Sequence, residues 1–132
     1  VITSTANPTI RSVRRLHTAK GRREAGRTIV EGPNGREALI RFGVVPELLL
    51  VTADDDASLA YATSIGLDPV VVSDRVLAAA SDTRSPVGPV TVIAIPDGRG
   101  LRTHSTAILM DVADPGNVGT AIRSAAAMDW DV

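Results

Sequence analysis

The run Asp114, Pro115, Gly116, Asn117, Val118, Gly119, Thr120, Ala121, Ile122, Arg123 gathers residue types able to hold an anionic ligand against backbone. Gly116 and Gly119 permit a tight turn and close approach to the main chain. A helix that opens at such a turn presents unpaired N–H groups to whatever sits beyond it. Asn117 offers both donors and acceptors. Arg123 follows about one and two-thirds helical turns later and carries a permanent charge suited to phosphate. The run lacks both the G-x-G-x-x-G dinucleotide pattern and the P-loop lysine. Taken by itself, it also fits an ordinary strand-to-helix turn with a solvent-facing arginine.

A second concentration of chemistry lies at the other end of the chain. Residues 1–41 hold nine Lys/Arg against three Glu, a net +6, whereas residues 42–132 hold five Arg against twelve acids, a net −7. A basic block on an otherwise acidic chain points to a local polyanion contact, with a solvated arginine-rich helix face as the plain alternative. Its cations include Arg11, Arg14, Arg15, Lys20, Arg22, Arg23 and Arg27. Arg84 stands apart in a Pro/Gly-containing loop, where binding residues are often placed. His17 fits a structural histidine at the end of the basic helix, or a contact to base or phosphate. Glu31 follows a short strand and reads either as a turn residue or as an orienting carboxylate. With no Cys and only two His in 132 residues, disulfides and thiolate or His-rich metal sites are excluded.

The elements that position these residues follow from periodicity. Hydrophobic residues make up 44% and charged residues 22%, the balance of a soluble folded chain. Asn7-Pro8 starts a helix with Ile10, Val13 and Leu16 on one face. Lys20–Gly26 reads as a basic polar connector. Thr28–Glu31 is a strand ended by Gly32-Pro33, and a helix runs from Asn34 to Phe42 with Gly43 as its stop. Leu48–Val51 is a strand buried on both faces. Ala57–Ile65 is a helix with Asp54, Asp55 and Asp56 at its N-terminus. Val70–Val72 is a strand, Ser73 or Asp74 caps a helix carrying Val76, Leu77 and Ala80, and Val90–Ile95 is a fourth strand. This alternation predicts a three-layer α/β/α sandwich. After a linker over 97–106, Ala107–Val112 reads as a strand and Val118–Met128 as a helix. One strand and one helix bury no core of their own, so 107–132 reads as the beginning of a domain. No apolar run reaches the roughly 20 residues that span a bilayer, and no signal-peptide pattern opens the chain, so the expected location is cytoplasmic.

The Asp114–Arg123 run resembles the first signature motif of the SpoU/TrmH methyltransferases, members of the knotted S-adenosylmethionine-dependent superfamily. Further matches to that family's substrate-binding domain lie at Asn7, Pro8 and Ile10, at Arg22 and Arg23, at Val30-Glu31-Gly32, at Glu37-Ala38-Leu39, and at Asp82-Thr83 with Pro86-Val87-Gly88. They occur in the expected order and cover nearly the whole chain. The resemblance implies a ribosomal-protein-like RNA-binding domain over 1–96 and the start of a knotted catalytic domain over 107–132. It implies an S-adenosylmethionine-dependent ribose 2′-O-methyltransferase acting on rRNA or tRNA, and a homodimer. Asn117 and Arg123 map onto the motif's polar positions, with Arg123 as the catalytic arginine. Arg11, Arg14, Arg15, Lys20, Arg22, Arg23, Arg27 and Arg84 are the candidate RNA contacts.

An arginine is a poor general base, so orientation and charge stabilisation are the expected roles of Arg123. Two departures from the family stand out. Met128 and Asp129 replace an aromatic residue and Gly after the motif helix, although Asp tolerates a left-handed helix end. The family's second and third motifs, which build the cofactor pocket, lie beyond Val132. The expectation is that these 132 residues alone neither bind S-adenosylmethionine nor methylate RNA. Trp130 is expected to be a core residue of the completed domain. A non-enzymatic ribosomal-protein-like RNA-binding module accounts for the first 95 residues equally well but leaves the motif idle. A nucleotide-binding enzyme is disfavoured by the missing phosphate fingerprint.

Overall fold

The computed structural model describes residues 1–83, 86–96, 105–130 and 132, in two compact units, Val1–Pro96 and Asp97–Val132. Unit 1 runs α1 (Pro8–Arg15), α2 (Ala19–Ala25), β1 (Arg27–Glu31), α3 (Gly32–Phe42), β2 (Leu48–Val51), α4 (Asp56–Ser64), β3 (Val70–Val71), α5 (Asp74–Ala80) and β4 (Val90–Ala94). Unit 2 contains α6 (Pro115–Ala127). Among the described residues, no helix is long and apolar enough to cross a membrane.

The strands form a four-stranded mixed sheet in the order β1-β4-β2-β3. β4 pairs antiparallel with both β1 and β2, in registers that set Val30 and Leu49 opposite Thr91. β2 pairs parallel with β3. Successive side chains of a strand alternate between faces, so one aliphatic run feeds two cores. Leu50, Val90 and Val92 pack on one side with Ile10, Val13 and Leu16 near α1 and with Val76, Leu77 and Ala80 of α5. Leu49 and Val51 pack on the other side with Tyr61 and Ala62 of α4. Helices therefore cover both faces of the sheet, and the run Leu48–Val51 is buried from either side, as its composition predicts.

Local chemistry fixes most helix ends. The Asn7 side chain accepts from the Thr9 N–H at 2.9 Å, with Pro8 in the first turn, so α1 opens as expected. Asp55 caps α4 by accepting from the Ser58 N–H at 3.1 Å. Gly43 closes α3 at φ 64°. α3 begins two residues earlier than the spacing predicts, because Pro33 sits in the first turn where a missing N–H costs nothing.

Two expectations fail. Lys20–Gly26 is no connector but lies in α2, capped by Thr18, whose hydroxyl accepts from the Gly21 N–H at 3.0 Å, and closed by Gly26 at φ 62°. Its contact residue is Gly21, so no apolar stripe betrays it. A Cβ at Gly21 would lie 1.9 Å from the Arg15 carbonyl oxygen, so only glycine lets α2 press this closely on the end of α1. In unit 2, Ala107–Val112 forms no strand among the described residues. Asp111 stands at φ 53°, in the left-handed region, which interrupts an extended strand.

Candidate functional site

α6 positions the motif of unit 2. Asp114 caps it, its carboxylate accepting from the Gly116 N–H at 3.2 Å while its carbonyl accepts from the Val118 N–H at 3.1 Å. Helical side chains lean toward the N-terminus, so Arg123 lies back over the preceding turn. Its Nη2 donates to Thr120 Oγ1 at 3.3 Å, and that hydroxyl donates to the Gly116 carbonyl at 2.9 Å. Arg123 Nη1 lies 3.2 Å from the place a Cβ would take on Gly119. Gly119 therefore does more than bend a turn: its bare face provides the space the guanidinium occupies. Arg123 is exposed and meets no carboxylate among the described residues. Asn117, six residues nearer the helix start, is also exposed and unpartnered among them.

At the end of α6 the chain turns back through Asp129 at φ 55°. The Trp130 N–H bonds the Ala125 carbonyl at 2.9 Å and the Asp129 N–H bonds that of Ala126 at 3.2 Å. This is a Schellman closure with Asp in the position usually held by Gly, the tolerance expected of that side chain.

The basic block of unit 1 divides into committed and free cations. Arg22 Nη1 donates to the carbonyls of Leu16 and His17, each at 3.0 Å, and so satisfies acceptors left open beyond α1. Arg15 pairs with Glu24 at 3.3 Å, Lys20 pairs with Glu24 at 3.7 Å, and Arg27 pairs with Glu47. Arg11, Arg14 and Arg23 are exposed and meet no acid among the described residues. Arg84 lies outside the described residues.

Glu31 holds the turn after α5. Its carboxylate accepts from the Ser81 hydroxyl, from the Asp82 N–H at 3.0 Å and from the Thr83 hydroxyl at 3.1 Å. Burial pushes its pKa upward most strongly, but these hydrogen bonds together with nearby His17 outweigh burial and hold the carboxyl below its ordinary range. The His17 ring nitrogen Nε2 lies 2.9 Å from the Ala80 carbonyl oxygen and, as its donor, ties the end of α1 to that of α5. Both residues are structural in this state.

Residues 7–91 match the MRM3-like substrate binding domain family, well over half of the chain. The chain belongs to the SpoU/TrmH family. Its curated relatives include a 23S rRNA (guanosine(2553)-2′-O)-methyltransferase, RlmP, of Bacillus subtilis (strain 168), 31% identical over 98% of this chain and 52% of the relative. A solved RNA 2′-O ribose methyltransferase superposes with a TM-score of 0.74 at 31% identity, covering 96% of this chain and 51% of that one. An AdoMet-bound rRNA methyltransferase from Sinorhizobium meliloti shares the fold, with a TM-score of 0.73 at 24% identity over 96% of this chain and 50% of the other. The chain thus spans about half the length of the relatives it matches.

In this SpoU/TrmH chain, sequence reasoning missed the acids that face the basic block. Glu24 and Glu47, with Arg15 and Arg27, rim a cavity of about 450 Å³ beside α1 and α2. Glu24 stands four residues after Lys20, a spacing that announces a helical pair once α2 is read as a helix. Glu47 pairs with Arg27 through the fold, twenty residues away in sequence, and no local signal could have found it.

Proposed function

We propose that this chain is the RNA-binding part and first catalytic motif of an RNA ribose 2′-O-methyltransferase, within a protein that uses S-adenosylmethionine as methyl donor and acts as a homodimer in the cytoplasm. Unit 1 holds rRNA or tRNA through phosphate contacts. Arg123 and Asn117 orient the target ribose and the adjoining phosphate. The observation that carries this reading is the Arg123 guanidinium, drawn back over Gly119 and held by one hydroxyl, with its charge uncompensated among the described residues. A structural arginine half-buried in a fold finds a carboxylate or several carbonyls, as Arg36 and Arg22 do. An exposed cation held in one orientation by a neutral partner is pre-arranged for an incoming anion, and its orienting cost is met before binding.

The described residues of unit 2 do not by themselves fit S-adenosylmethionine. Ile108 is 79% exposed and Met110 81%, so the apolar side chains here lie uncovered, and enclosing an adenosine between them calls for further chain. Catalysis is therefore a property of the longer protein, to which this chain contributes RNA affinity and ribose orientation. The test is incubation of the full-length protein with cellular RNA and S-adenosylmethionine, followed by mapping of 2′-O-methylated riboses. Appearance of a discrete modified site is expected. A protein that binds RNA yet leaves every ribose unmodified would instead be the non-enzymatic RNA-binding module.

A further inference from the structure

Two Arg–Glu pairs of unit 1, Arg15–Glu24 and Arg27–Glu47, rim a cavity that the phosphate-binding role leaves unused. Its volume is about 450 Å³, within the range that small-molecule sites occupy. Its floor is aliphatic, formed by Val13 and Leu16 near the end of α1, Leu48 of β2 and Val92 of β4. Its mouth carries Arg15 with Glu24 on one side and Arg27 with Glu47 on another. An aliphatic floor below paired donors and acceptors suits an aromatic heterocycle with polar edges. Sequence-specific recognition of RNA works largely on bases splayed out of the stack. We propose that this cavity receives an unstacked guanine base of the bound RNA; this rests on the RNA-binding reading given above.

Guanine is singled out by the chemistry of the rim. Its O6 and N7 place two acceptors side by side, matching an arginine fork. Its N1–H and exocyclic amino group place two donors side by side, matching a carboxylate. Adenine and uracil lack both edges, and cytosine lacks the paired donors. The guanidinium and carboxylate groups already meet each other, so the base has to exchange with those contacts. Their exposure makes the exchange inexpensive: the side chains are 73% and 49% exposed in the Arg15–Glu24 pair, and 48% and 42% in the Arg27–Glu47 pair. Free cations stand on the same helix as Arg15, because Arg11 and Arg14 of α1 have no acidic partner among the described residues. They can hold the phosphates that flank an inserted nucleotide.

The experiment titrates the 132-residue chain with three fluorescently labelled heptanucleotides: heptauridylate carrying a central guanosine, a central adenosine or a central abasic ribose. The guanosine oligomer is expected to bind about tenfold more tightly than the other two, the discrimination typical of one well-formed bidentate contact. Glu24→Gln with Glu47→Gln keeps side-chain size and removes the charged acceptors. It should bring the three affinities within about twofold of one another without weakening binding of the abasic oligomer. Ser12→Trp, at an exposed position on the cavity lining, should abolish the preference by plugging the mouth, with circular dichroism verifying the fold. Equal, salt-sensitive affinity for all three oligomers in the unaltered chain overturns the pocket and leaves the RNA reading standing. A guanosine preference that survives both variants also overturns the pocket. Absence of binding to any of the three overturns both.

Discussion

Arg123 differs from the arginines of unit 1 in the partner it keeps. Arg22 is spent on two carbonyls and Arg27 on a carboxylate, whereas Arg123 rests on the hydroxyl of Thr120. A hydroxyl orients the fork without neutralising it, so the full charge remains for an anion that arrives later. In the full-length protein, Arg123→Ala is expected to lower kcat for RNA methylation by roughly 10²–10³-fold, the cost of removing one positioned charge donor. Arg123→Lys keeps charge but loses the planar fork, and should recover only a minor part of that loss. Wild-type turnover in Arg123→Ala removes the residue from the mechanism. Glu31 poses the opposite case, a carboxylate whose whole coordination is internal. Its folded pKa lies below the ordinary 4.5, so its stabilising contribution is complete above that value and fades as pH falls through the lowered folded value. Glu31→Gln should cost about 1 kcal/mol at neutral pH, since the group is partly solvated. The variant should also lose less stability than the wild type between neutral and acid pH in thermal melts. Parallel acid-side loss in the two proteins would show that the carboxylate does not hold the turn.

Among the elements, α2 shows where a sequence stops being readable. Its caps are in plain view, Thr18 before it and Gly26 after it, yet helix recognition leans on an apolar stripe, and α2 has none because Gly21 makes its close contact. By contrast α1, β2 and α4 are legible, since Ile10, Val13 and Leu16 repeat at helical spacing, Leu48–Val51 is uniformly aliphatic, and Asp55 caps where an acid is favoured. The strand expected at Ala107–Val112 fails for a different reason: Asp111 takes a left-handed φ of 53°, a local break that the aliphatic run around it does not announce. The same limit governs the candidate RNA contacts. Sequence identifies an arginine but not the direction of its side chain, so it does not reveal that Arg22 turns in to two carbonyls while its neighbour Arg23 stays exposed. Arg22→Ala is expected to lower stability by about 1–2 kcal/mol, because the Leu16 and His17 carbonyls lose their donor. Arg23→Ala should leave the melting temperature unchanged and weaken RNA binding. Melts and titrations of the two single variants, side by side, separate these duties. A reversed pattern would reassign both residues.

At the scale of the whole molecule, the net charge of −1 conceals a division of labour. The acidic remainder of the chain repels nucleic acid in general, so affinity depends on the few cations that are not already neutralised. Salt dependence counts them. Each phosphate neutralised on a single strand contributes about −0.7 to the slope of log affinity against log salt concentration. If all seven described cations named by the sequence touched phosphate, the slope would approach about −5. Four of them are engaged within the fold: Arg15, Lys20 and Arg27 by glutamates, Arg22 by carbonyls. With Arg11, Arg14 and Arg23 as the contacts, the expected slope for the chain on heptauridylate is about −2, falling toward zero in the triple Arg→Gln variant at these three positions. A measured slope of about −4, the ceiling set by the phosphodiester groups of a heptanucleotide, would mean that RNA dismantles the internal pairs on binding, and would return Arg15, Lys20, Arg22 and Arg27 to the phosphate-binding surface. The wild-type slope and that of the triple variant together decide between these outcomes, because a cation released from a glutamate would still register after the three free arginines are gone.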